Sequence, residues 1–232
     1  MSGGSATANP ATAGGGILTE GTLLLVASRI SGNTAAVRGG GIAVASGATA
    51  RLAGSTVTDN SAGDGGGVHA DASARLNVTG GSIQSNEATF LGGGPATFGT
   101  TVLDGAAVTD NRTENFEGGG IYTALGPLTL NGGFVTENEA ASYGGGIANL
   151  GSTLRLLSTT VNDNVSGLDG GGLYHQAGTS VLLGGRASSN VAGGQGGGIF
   201  RVGGSVALTG TPVVNNTPDN CAPPGAVPGC TS

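Results

Sequence analysis

The 232-residue chain contains no lysine and no tryptophan, one methionine, two histidines, two cysteines and only 3% aromatic residues. Only 9% of its residues are charged, and the eight cationic side chains are all arginine against fourteen acids, for a net charge of −6. Nucleic-acid binding needs a basic stripe to meet the phosphate backbone, and this composition excludes one. No apolar run approaches the roughly 20 residues of a membrane span. The longest, Leu23-Leu24-Leu25-Val26, reads as a buried strand. Fifty glycines and eight prolines reach the level that normally signals disorder. Disorder also requires low hydrophobicity and high charge, whereas 37% of this chain is apolar and its pattern is strongly periodic.

What the chain does contain is a repeat. Glycine triplets end at Gly16, Gly41, Gly67, Gly94, Gly120, Gly146, Gly172 and Gly198, spaced 25 to 27 residues apart. The residue after each is apolar: Ile17, Ile42, Val68, Pro95, Ile121, Ile147, Leu173 and Ile199. Asparagine recurs once per unit at Asn33, Asn60, Asn86, Asn111, Asn138, Asn164, Asn190 and Asn216. Three residues before it stand Ile30, Val57, Ile83, Val108, Val135, Val161, Ala187 and Val213. Eight before it stand Leu25, Leu52, Val78, Leu103, Leu130, Leu156, Leu182 and Leu208, and glycine fills most of the places six before.

Apolar residues alternate at period two within short segments such as Leu128-Thr129-Leu130, which makes those segments strands. A unit this short cannot bury its own apolar face, so neighbours must stack. The fold expected is all-β: a right-handed single-stranded parallel β-helix of about eight coils, pectate-lyase-like in its superfold. At about 4.8 Å per coil, eight coils make a rod of roughly 38 Å. Every repeated position becomes a ladder along the rod, and the eight asparagines become a structural ladder of buried amides bonding from coil to coil. The expected boundaries are a flexible segment over residues 1–13, the β-helix over 14–217, and a Pro/Gly-rich tail over 218–232. Cys221 and Cys230 lie close together in that tail. A disulfide there contributes about 2–3 kcal/mol and points to an oxidising compartment, the alternative being two free thiols. The start, Met1-Ser2-Gly3-Gly4-Ser5, lacks the basic and apolar regions of an export signal. The chain is therefore expected outside the cell or on its surface, with the signal absent from this sequence.

The Gly-Gly-Gly-Ile and Val-x-x-Asn elements resemble the repeat motifs of polymorphic outer-membrane proteins. More broadly, residues 14 to 230 resemble secreted or cell-surface β-helix proteins of actinobacteria. The tail Asn216-Thr217-Pro218-Asp219-Asn220-Cys221-Ala222-Pro223-Pro224 is similar to tails found there. The resemblance implies a right-handed β-helix and says little about activity, because that superfold carries pectate lyases, polygalacturonases and adhesins. The outer-membrane barrel of an autotransporter is missing.

Two outward features are candidates for chemistry. Asp110, Glu137 and Asp163, each just before a ladder asparagine, occupy consecutive coils. Stacked carboxylates can recruit Ca²⁺ as a cofactor; the plainer reading is acids splayed into water. The neighbouring Glu87, Arg112 and Glu139 alternate in sign, a ladder that needs no ligand. Beside the glycine triplets, the outward column Leu18, Ala43, His69, Ala96, Tyr122, Ala148, Tyr174 and Phe200 offers Tyr122, Tyr174 and Phe200 as rings to stack on sugars, with His175 and Arg201 nearby. Ordinary filling of a strand face is the plainer account.

No catalytic set can be assembled: lysine is absent, no Asp-Asp pair exists, and both cysteines belong to the tail. The reading is a non-enzymatic scaffold presenting its long sides to a polysaccharide or protein. A carbohydrate-active enzyme, or a fragment of one, is the alternative. Ice binding is a third, resting on a faint Thr-x-Thr ladder (Thr56-Val57-Thr58, for example) that Arg29, Phe134 and Arg186 interrupt. Two structural expectations complete the reading. Pro95 removes a ladder donor and should raise a bulge or outward loop around Leu91 to Phe98. An uncapped first coil should be covered by preceding sequence or by self-association.

Overall fold

The computed structural model describes residues 3–231. It is a right-handed parallel β-helix of about eight full coils, without helix among the described residues. No helix there is long and apolar enough to cross a membrane. Each coil contributes four short strands, and each strand pairs in parallel with its counterpart one repeat away. In one coil the first strand is Ile121–Thr123, the second Leu128–Asn131, the third Phe134–Thr136 and the fourth Glu139–Ala140. In the next two coils the first and second strands merge into the continuous strands Ile147–Leu157 and Leu173–Leu183, which join their two columns into one sheet.

The interior is a single apolar cluster running the length of the rod, built from the isoleucine, leucine and valine columns. The register is that of the repeat. Val108 pairs with Val135, Val135 with Val161, and Leu103 with Leu130.

The asparagine column is continuous. The Asn60 backbone N–H and Nδ2 both donate to Asn86 Oδ1 (3.1 and 2.9 Å), and Nδ2 also donates to the Ile30 carbonyl below (3.1 Å). Its own Oδ1 accepts the N–H and Nδ2 of Asn33 (3.0 and 2.8 Å), while its carbonyl accepts the N–H of Glu87. Every polar group of the residue is used. Two residues extend the row beyond the eight expected: Asn9 donates to Asn33 Oδ1, and Asn220 Oδ1 accepts from Asn216.

Glycine is required at the triplets for three separate reasons, seen at Gly118 to Gly120. Gly118 sits at φ 71°, where an L side chain is strained. A Cβ on Gly119 would lie 2.3 Å from the Glu139 carbonyl oxygen. A Cβ on Gly120 would lie 2.9 Å from Cγ of the ladder residue Asn138. Glycine and asparagine columns therefore interlock between coils. The positions six before each asparagine are also left-handed, including the two filled by non-glycine residues, Ala27 (φ 45°) and Ser158 (φ 51°).

Three expectations need correction. Residues 5–13 do not stand apart from the helix: Ser5–Thr7 and Pro10–Ala13 pair with Arg29–Ser31 and Thr34–Arg38 as a partial extra coil. The start of the tail also belongs to the fold. Cys221–Ala222 pairs with Ile199 and Phe200, Val227 is buried against the end of the core, and the Cys221–Cys230 disulfide closes this cap. Pro95 raises no outward loop. Pro95–Thr97 keeps register with Val68–Ala70, and Gly120 O, which would have received the missing N–H, accepts that of Gly94 (3.0 Å). The irregularity lies in the fourth column instead, where the register shifts between Ala62 and Asp64, the latter opposite Leu91.

Two substitutions test this account. Asn138→Ala strands two Asn111 donors and the Val108 carbonyl, and at about 1–3 kcal/mol per buried unsatisfied group it should lower unfolding free energy by about 3 kcal/mol or more. Ser158→Gly relieves a left-handed backbone at an exposed position and should raise stability by about 0.5–1 kcal/mol. Urea unfolding of both variants checks the two signs.

Candidate functional site

The carboxylate ladder comes first. Asp110, Glu137 and Asp163 stand in consecutive coils and are exposed. Their column, from Gly32 through Asp59 and Ser85 to Asn215, has φ between 51° and 65° in every coil. Aspartate, asparagine and glycine tolerate that region best, which accounts for acids there without a ligand. Asp110 accepts a hydrogen bond from Ser85 Oγ one coil below (3.0 Å), whereas Asp163 is bonded by its neighbour Asn162. Among the described residues no three His, Cys, Asp or Glu side chains converge to hold a metal ion. The expected Ca²⁺ ladder therefore has the stacking but not the convergence. Glu87, Arg112 and Glu139 are register partners, as their alternation implied.

The outward column beside the glycine triplets is in register along its length, with His69 beside Ala96, Ala96 beside Tyr122, Tyr122 beside Ala148 and Tyr174 beside Phe200. It is not an open platform. Tyr122 and Tyr174 are only 7% and 8% exposed. The column forms the floor of a trough in which alanines alternate with rings, and residues from the adjoining corners lean over it. Phe98 lies between His69 and Tyr122, with ring centroids 5.4 and 5.6 Å away. Tyr174 stacks on both Tyr143 (4.6 Å) and Phe200 (5.9 Å). Leu91, Phe98 and Leu150 pack against Ala96, Tyr122, Ala124 and Ala148 as a small outer apolar cluster. The half-buried Phe200 is the one expected ring that keeps substantial exposure.

Charge in the trough is mostly negative. Burial raises the carboxyl pKa of Asp64 and of Glu117 from their ordinary values. Burial, with Glu117 and Asp64 adding like charge, pushes the Tyr122 phenol up to about 12. The Tyr174 phenol is raised for the same reason, Glu117, Tyr143 and Asp169 adding to the effect.

At the N-terminal end the trough opens into a hollow of about 300 Å³ lined by Arg38, Asp64, His69, Asp71, Ala72, Phe98 and Leu125. Here Asp71 Oδ1 takes both the Arg38 guanidinium (2.8 Å) and His69 Nε2 (3.1 Å). Burial lowers the His69 pKa, opposed by Asp71. Sequence reasoning picked out His69 by position only and missed Arg38, Asp64, Asp71 and Phe98, because these come from corners with little periodicity.

The second histidine lies inside the solenoid. His175 Nδ1 meets Ser180 Oγ (2.9 Å) and Asn149 Nδ2 (3.2 Å), and all three residues are fully buried. Burial and then Arg201 lower its pKa. This Ser-His-Asn group looks catalytic by composition, yet it is sealed from substrate and serves as a polar rung of the core. The ice-binding face is interrupted as expected, since Arg29, Phe134 and Arg186 stand in one outward column of third strands with Thr56 and Thr160.

Compared with protein-family models, with curated proteins and with solved structures, the chain matches none.

The Tyr122 shift gives a pH test. Because its folded-state pKa lies above the usual 10, the folded chain keeps a proton that the unfolded chain loses. Stability should then fall as pH rises from 10 towards about 12. Tyr122→Phe should flatten that limb of a stability-versus-pH curve; an unchanged limb would place its origin elsewhere.

Proposed function

We propose that the protein is a non-enzymatic extracellular or cell-surface scaffold whose trough binds polysaccharide. The observation that carries this reading is the set of half-buried rings Phe98, Tyr143 and Phe200 seated on the register-locked, buried floor from Ala96 to Tyr174. A repeating polymer can meet such a face many times with the same weak contact, and repeated weak contacts multiply into useful affinity. The acids Asp64, Asp71, Glu117 and Asp169 along the trough, set against Arg38, favour a neutral polymer over a polyuronate. The disulfide supports a location outside the reducing cytosol.

A carbohydrate-active enzyme is the second reading. It is favoured by one feature, the raised carboxyl pKa of Asp64 in the hollow that also holds His69 and Asp71.

Retention on immobilised polysaccharides, with product release assayed in the same samples, separates the two. The scaffold reading expects retention on a neutral polymer with no new reducing ends or unsaturated products. Product that grows with protein concentration and disappears in Asp64→Asn would establish the enzyme instead.

A further inference from the structure

We infer that the hollow bounded by Arg38, Asp64, His69, Asp71 and Phe98 is a subsite for one neutral sugar unit, an assignment that rests on the polysaccharide-binding reading and specifies where the polymer is gripped. Its volume of about 300 Å³ is at the small end of ligand sites. Its lining combines what a sugar needs. Asp64 and Asp71 supply acceptors for hydroxyl protons, the Arg38 guanidinium supplies donors, and Phe98 with Leu125 supplies apolar surface for ring C–H groups. Leu125 stands 77% exposed at the rim in a left-handed conformation (φ 69°), an apolar side chain offered to solvent beside the polar floor.

The polar groups are already arranged. Asp71 is held by Arg38 and His69 together, so its carboxylate is oriented before a ligand arrives. His69 is 4% exposed, its Nε2 engaged by Asp71, and its Nδ1 has no hydrogen-bond partner. His175 Nε2 in the core is buried and unpartnered in the same way, so the assignment rests on the carboxylates, the guanidinium and the apolar lining. Charge selects among sugars. One arginine faces two acids, so a uronate meets net repulsion that a neutral unit does not.

The chain has only two histidines, and they respond differently to this assignment. His69 lines the hollow, whereas His175 is sealed in the core and serves as an internal control. Full-length protein carrying isotopically labelled histidine is titrated with cellohexaose, mannohexaose and galactohexaose, then with a galacturonate hexamer and a glucosamine hexamer. At least one neutral hexamer should shift the His69 ring resonances and leave those of His175 unmoved. Asp71→Asn should weaken that hexamer at least tenfold, and Phe98→Leu, a milder packing change, should weaken it as well. If only the charged hexamers move His69, or if a neutral hexamer binds without moving it, the subsite is wrong. Retention on a neutral polysaccharide with an unmoved His69 overturns the subsite while the scaffold reading stands. Failure to bind any polysaccharide removes both.

Discussion

The hydrogen bond from each ladder asparagine to the amide oxygen of the next is the interaction on which the rest of the fold depends. An amide side chain at this corner accepts two protons from the coil below and gives two of its own, one upward and one back down, so no polar group remains to be satisfied by water. It also sets what surrounds it. The third glycine of the preceding triplet must be glycine because the asparagine occupies the space a side chain would need. The residue before it must turn left-handed to aim the amide inward. Length variation is displaced away from this joint. Asn60 is five residues from Gly65 and Asn111 is seven from Gly118, yet the ladder runs on without a break.

A rigid interior of this kind fixes the exterior by register. Outward positions inherit the same stacking, so His69, Ala96, Tyr122, Ala148, Tyr174 and Phe200 fall into line. Small residues between the large ones leave room for rings from the corners, and that filling turns a flat sheet face into a trough with buried aromatic edges. The perturbed groups follow from the same covering. Asp64, Glu117 and Tyr122 are all shifted first by burial, and Tyr122 is then raised further by the two acids.

The repeating positions were legible in the sequence because periodicity reports which residues stack: the asparagine, glycine, leucine and valine columns all pair as their spacing implied. Periodicity does not report what lies over a column. Tyr122 and Tyr174 were therefore read as open rings although Phe98 and Tyr143, from irregular corners, cover them. Two ladder members escaped for different reasons. Asn9 follows Gly3-x-x-Ala6 at the right offsets, but alanine replaces valine and no triplet precedes it. Asn220 lies four residues beyond Asn216 and is off the period altogether. The interior place of His175 was readable from alternation, since Leu173 faces in and Tyr174 faces out. Its link to Ser180 and Asn149 was not, because the three residues are joined only across a coil and a corner.

Amide hydrogen exchange tests the central claim most directly. If the ladder holds the coils in register, the backbone N–H groups of Asn33 to Asn190 exchange together and among the slowest in the chain, at a rate set by global unfolding. Exchange at these asparagines faster than at the neighbouring valine strands, or graded from coil to coil, would show that the apolar columns hold the fold and that the amides merely follow.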